Sequence, residues 1–168
     1  SYTGGETMTE NDFIYAVKRN SQRLYLIALS FTKSTDDAED IIQNVFLKFW
    51  KYPKAFENEE HTDKWLTAVC VNESKNYIKS FFRNHLNIDD TEIVSPESFD
   101  TSQQRDLFNA VMELPKKERT VVHLFYYEDL PVKDIAEMLK IKESAVKTRL
   151  SRARNKLKER LGDDWINE

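Results

Sequence analysis

Apolar residues recur along this chain at helical spacing and break at polar, cap-forming clusters. Thr9 followed by Asp12 forms a helix start, and Phe13, Val17, Leu24, Ile27 and Ala28 continue one apolar face. Ser34, Thr35, Asp36 and Asp37 interrupt it with cap residues and acids that complement a second helix N-terminus. The second helix carries Ala38, Ile41, Ile42, Val45, Phe46, Phe49 and Trp50 in steps of three and four, a single stripe expected to be buried. Pro53 ends it, because the residue before a proline is pushed out of the helical region. A polar loop over 54–63 is expected to lead to a third helix over 64–83, with Trp65, Leu66, Val69, Cys70, Tyr77, Ile78 and Phe81 apolar. Lys75, Lys79 and Arg83 follow at steps of four, one basic line on its outer side.

Residues 85–101 change character. Asp89, Asp90, Glu92, Glu97 and Asp100, with Pro96, show no sustained apolar period, so the stretch reads as a flexible acidic linker. Beyond it, Leu107, Phe108, Val111 and Met112 share a face. Pro115 suits the first turn of the next helix, which is expected to bury Val121, Val122 and Phe125. Pro131 opens another with Val132, Ile135, Ala136 and Leu139, and the last buries Val146, Leu150, Ala153, Leu157 and Leu161. The expected fold is all-α: a polar segment 1–8 (with Met8 a candidate start), a helical domain 9–84, the linker 85–101, a second domain 102–162 and a tail 163–168.

Composition supports this. The only glycines are Gly4, Gly5 and Gly162, so the body of the chain has no glycine phosphate loop, dinucleotide fingerprint or Asn-Gly hairpin. One cysteine, Cys70, excludes an internal disulfide and suits a reducing cytoplasm. No apolar run is long enough to span a membrane, so no direct membrane insertion is expected. The net charge is −4, but Lys140 to Arg160 holds nine basic residues against Glu143 and Glu159. Such segregation is the footprint of a localised contact with phosphates.

A helix of about eight residues, a break near Lys140–Lys142 and a longer helix match helix-turn-helix dimensions. Burial of the last helix's apolar face would leave Lys147, Thr148, Ser151, Arg152 and Asn155 outward, able to reach base edges and phosphates. The stretch from Leu114-Pro115 through Asp134-Ile135-Ala136 to Val146-Lys147-Thr148-Arg149-Leu150 and Arg152-Ala153-Arg154 resembles the fourth conserved region of bacterial extracytoplasmic-function sigma factors. The resemblance implies that this helix reads the promoter's minus-35 element. Lys147, Thr148 and Arg152 would contact bases or the groove, with Ser144 beside them. Arg149 and Arg154 would contact phosphates or form structural pairs. Two positions depart from the family pattern. Lys140 stands where Gly is usual, at a cost on the order of 1 kcal/mol for a left-handed turn, and Lys142 replaces a capping Ser. Ser144 is then the alternative cap, starting the helix two residues late.

The first half separates a sigma factor from an ordinary repressor. Asp36–Trp50 resembles the family's second conserved region, whose exposed side docks on the β′ clamp helices of RNA polymerase. The resemblance implies Asp40, Gln43, Asn44, Leu47 and Lys48 as the polymerase-binding residues. It continues through Lys64–Arg83, the segment that opens the promoter and reads the minus-10 element. Phe56 and Asn72 would border a pocket for an unstacked base. Lys75, Asn76, Lys79 and Arg83 would contact the strand, and residues 58–61 would influence base choice. Implied partners are promoter DNA, bacterial core RNA polymerase (β′ clamp helices and β subunit) and an anti-sigma factor, often membrane-bound. No cofactor, metal or small-molecule substrate is implied. An enzyme fits poorly, since His61, His85 and His123 lie far apart without metal-ligand spacing. A dimeric helix-turn-helix regulator acting on a palindrome is the competing class.

Overall fold

The computed structural model describes residues 7–52, 56–84 and 99–163, with no side-chain description for 81–84. The fold is all-α, and the chain divides into two compact units, Ser1–Ile88 and Asp89–Glu168. Most of the expected acidic linker lies outside the described residues.

Unit 1 is built from α1 (Glu10–Thr32), α2 (Thr35–Lys51) and α3 (Glu59–Asn84). Thr9 and Asp12 close the expected capping box, the Thr9 hydroxyl accepting from the Asp12 amide at 3.1 Å. α1 ends at Lys33, held left-handed at φ 52. Ser34 caps α2 by accepting from the Asp37 amide. α2 stops at Lys51, and Tyr52 takes the extended backbone (φ −69, ψ 121) that a following proline demands. The core holds Leu24, Ile27, Ala28, Ile41, Val45, Phe49, Leu66 and Cys70. At its end near the α2–α3 connection, the Phe49 ring lies 5.5–5.9 Å from those of Phe13, Phe56 and Trp65.

Two expectations fail here. Trp50 is 51% exposed, packing edge-on against Phe13, although it continues the apolar spacing. At about 100° per residue it lies roughly 120° around α2 from Ala38, on the rim of the stripe. The loop expected over 54–63 is shorter, because α3 begins at Glu59. The Asn58 side chain accepts from the His61 amide at 2.8 Å, capping a first turn that has no apolar period.

Unit 2 contains α4 (Ser102–Met112), α5 (Lys116–Val122), α6 (Val132–Leu139) and α7 (Glu143–Leu161). Thr101 caps α4. Pro115 and Pro131 stand immediately before α5 and α6 and need no amide partner there. α5 runs on into a wider π turn, His123–Tyr127. The extra residue in that turn rotates the following positions off the 3.6-residue stripe, and Phe125 is only half-buried instead of buried. Phe108, Val111, Val121, Leu124, Ile135, Val146, Leu150 and Ala153 form the core.

α6 ends in a Schellman motif. The Lys140 amide donates to the Glu137 carbonyl at 3.3 Å and the Ile141 amide to Ala136 at 3.0 Å, with Lys140 left-handed at φ 56. The left-handed turn expected at Lys140 is present. Ser144 as the cap is overturned: α7 starts at Glu143, and Lys142 occupies the cap position without a side-chain hydrogen bond. Its carbonyl alone anchors the first turn, accepting from Ala145 and Val146.

Candidate nucleic-acid interface

α6, the turn at Lys140–Lys142 and α7 present one long helix whose apolar side is fixed against α5 and α6 by Val146, Leu150, Ala153 and Leu157. Its opposite side carries Ser144, Lys147, Thr148, Ser151, Arg152 and Asn155, all exposed as the periodicity predicts. The Thr148 hydroxyl donates back to the Ser144 carbonyl at 2.9 Å. Lys147 and Arg152 make no ion pair among the described residues. Further along the flanks, three basic residues are engaged. Arg154 donates to the Tyr126 hydroxyl at 2.7 Å and lies over its ring, a contact within the unit. Lys156 grips the buried Glu118 carboxylate at 2.7 and 2.9 Å, and Arg160 pairs with Glu113. Arg149 is half-buried at the edge nearest the start of α5. Sequence reasoning did not pick out Lys116 and Lys117, which line the same edge from α5; the basic pair beside Pro115 was their only signal.

Unit 1 carries two further sets. On α2, Asp40, Gln43, Asn44 and Leu47 are exposed together on the side away from the core, Leu47 at 54%. Lys48 sits at the margin of this face, paired with Glu73 of α3. The exposed ring of Trp50 adjoins the same end of α2. On α3, Asn72, Lys75, Asn76 and Lys79 recur at steps of three and four, which places them on one stripe. Asn72, Asn76 and Lys79 are exposed and Lys75 is half-buried. The Arg83 side chain lies outside the described set. Phe56 is not with them at the surface. It is 2% exposed, in ring contact with Tyr52, His61 and Trp65, in the core beside the start of α3.

Among the described residues no cluster of His, Cys, Asp and Glu could hold a metal, and no helix is long and apolar enough to cross a membrane. Unit 2 carries the helix-turn-helix arrangement of DNA-binding transcription proteins, and unit 1 is a separate three-helix body with its own exposed polar faces. Two family models match the chain: Sigma-70 region 2 over residues 16–81 and Sigma-70, region 4 over residues 104–157. The RNA polymerase sigma factor SigV of Bacillus subtilis is 30% identical over 141 residues, covering 83% of this chain and 85% of that protein. The ECF RNA polymerase sigma factor SigW of the same organism is 26% identical over 162 residues, 84% of each chain. The sigma factor RpoE of Bartonella quintana, solved with the anti-sigma factor NepR, shares the fold with a TM-score of 0.72 at 24% identity, covering 92% of this chain and 99% of that one. The chain belongs to the sigma-70 family of RNA polymerase sigma factors, in its extracytoplasmic-function branch. Such proteins direct transcription initiation and are not enzymes.

Proposed function

We infer that this alternative sigma factor works through three faces. The outer side of α2, with Asp40, Gln43, Asn44, Leu47 and Lys48, receives the β′ clamp helices of core polymerase. The α3 stripe of Asn72, Lys75, Asn76, Lys79 and Arg83 engages the minus-10 strand, with Phe56 packed in the core beside the start of the same helix. The front of α7, with Ser144, Lys147, Thr148 and Arg152, enters the minus-35 major groove, with Arg149 towards the phosphates. The observation that carries this reading is the α7 front: exposed Lys147 and Arg152 without ion pairs among the described residues, on a helix whose cations Arg154, Lys156 and Arg160 are engaged within the unit. An anti-sigma factor anchored at the inner membrane, covering these faces, would hold the protein in the cytoplasm until released.

Mixed with bacterial core polymerase, the protein should co-purify with it and start transcription from a cognate promoter. Failure to bind core, together with tight binding to a palindrome alone, would establish a dimeric regulator instead. In the holoenzyme, Lys147→Ala or Arg152→Ala should cost ~1–3 kcal/mol of discrimination among minus-35 variants, read from promoter-binding competition. Unchanged discrimination would remove either residue from the base-reading face.

A further inference from the structure

The turn that leads into α3 contains no apolar side chain. Glu57, Asn58, Glu59, Glu60 and His61 are all exposed, between the buried Phe56 and Thr62. What holds them is polar. The Asn58 side chain accepts from the His61 amide at 2.8 Å, and the Asn58 carbonyl accepts from the Thr62 hydroxyl at 3.1 Å. A further support comes from another helix. Arg19 of α1 donates to the Glu59 carbonyl at 3.3 Å, pairs with the Glu59 carboxylate at 2.8 Å and binds the Asp63 carboxylate. One turn along α1, Arg23 repeats the pattern, donating to the Asp63 carbonyl at 3.2 Å and the Thr67 hydroxyl at 2.6 Å. Arg23 is itself oriented by the buried Asn20, whose side-chain oxygen accepts from it at 2.8 Å.

Two of these contacts end on main-chain carbonyls, so they fix where the backbone of α3 lies and not only where its side chains point. An ion pair between partly exposed groups adds little stability. A planar guanidinium that meets a carbonyl and two carboxylates at once imposes a geometry, which a point charge does not. The brace is therefore better suited to placing the start of α3 than to holding unit 1 together. It also matches charge. Arg19 neutralises Glu59 and Asp63, while Lys64 pairs with Glu60 at 3.2 Å. Carboxylates left unmatched there would repel a nucleic-acid strand.

We propose that Arg19 is a positioning residue for minus-10 recognition. Its fork seats the backbone of residues 59–63 against α1, with Arg23 as the second point of support, and so sets how the start of α3 meets the strand. The brace rests on the reading of α3 as the minus-10 face, and it acts through Glu59 and Asp63 rather than by touching DNA.

The test uses holoenzyme reconstituted with core polymerase, and promoters that vary the minus-10 bases over a constant minus-35 element. Arg19→Ala should shrink discrimination among the minus-10 variants by roughly three- to tenfold, the scale of one weakened base contact, with core binding and minus-35 discrimination unchanged. Arg19→Lys keeps the charge but loses the fork, and should lose discrimination as the alanine variant does. A variant that merely folds less well lowers output from every promoter by one factor and leaves the ratios alone; that outcome overturns the brace. Wild-type discrimination in Arg19→Lys also overturns it and reduces the residue to charge balance. Asn72→Ala, followed in parallel for promoter opening, separates the two levels. If it impairs opening while both Arg19 variants keep wild-type ratios, the brace alone fails. If Asn72→Ala opens promoters normally, the reading of α3 fails and the brace with it.

Discussion

In unit 1, Arg19 and Arg23 of α1 reach across to α3, where Arg19 pairs with Glu59 and Asp63, and Arg23 donates to the Thr67 hydroxyl at 2.6 Å and the Asp63 carbonyl at 3.2 Å. In unit 2, Lys147 and Arg152 project from α7 without an ion pair to any described residue. The two units thus place their cations differently. In unit 1, Arg19 and Arg23 serve as cross-braces between α1 and α3. Unit 2 is braced by aliphatic packing and by Lys156 and Arg160 on the flanks of α7, and Lys147 and Arg152 on the front of that helix make no ion pair within the unit. Charge density alone cannot identify a binding face; the difference lies in which charges already have partners. A cation committed to an internal carboxylate must lose that contact before it can meet a phosphate, whereas an exposed, uncommitted one forfeits only hydration.

The sharpest way to break this comparison is to remove the centre of the aromatic cluster. Phe49 is fully buried, with three rings within 6 Å, and Phe49→Ala should destabilise unit 1 by ~3–5 kcal/mol. Native-state hydrogen exchange should show protection lost by about a hundredfold or more in α1–α3 and unchanged in α4–α7. An equal loss in both units would show that they unfold together and that their separate construction has no energetic meaning.

Acid should separate the units in the other direction. His123 is buried in unit 2, stacked on Tyr127 at 5.0 Å, and its Nε2 has no hydrogen-bond partner among the described residues. Burial lowers its pKa from 6.5 to about 4. Between those values the unfolded chain binds a proton that the folded unit refuses, so stability is complete above pH 6.5 and falls as the pH drops towards 4. The loss approaches something on the order of 3 kcal/mol at the low end. Urea unfolding of unit 2 at pH 7 and pH 4.5 should show a fall larger in the wild type than in His123→Phe. Parallel falls would leave the carboxylates as the whole cause.

Much of this was legible because the helices are long and amphipathic. The capping box at Thr9, the stripe on α2 and the outward set on α7 all follow from periodicity and cap chemistry. What stayed hidden depends on contacts that spacing does not encode. The first turn of α3 rests on one side-chain bond from Asn58 within a polar run. The exposure of Trp50 follows from its place on the rim of a stripe, where spacing alone cannot tell burial from partial cover. The internal contacts of Arg154 and Lys156 involve partners, Tyr126 and Glu118, that lie 28 and 38 residues away in sequence. The inward turn of Phe56 could not be read from a family position that only placed it near the minus-10 site.

The smallest effect tests the departure that the sequence did flag. Both units end a helix on a left-handed lysine, Lys33 after α1 and Lys140 after α6. At each, the Cβ crowds the backbone, a strain that glycine lacks, while glycine gives back part of the gain through the freedom of its unfolded chain. Lys140 closes a full Schellman motif and directly precedes the uncapped start of α7. Lys140→Gly should therefore stabilise unit 2 by ~0.5–1 kcal/mol, raising its melting temperature by a few degrees, and Lys33→Gly should do the same for unit 1 alone. Because the carbonyl of Lys142, and no side chain, anchors α7's first turn, relaxing the turn at Lys140 should leave the minus-35 preference intact. A stabilised Lys140→Gly protein with altered minus-35 preference would show that the strained lysine itself sets how the helix meets DNA.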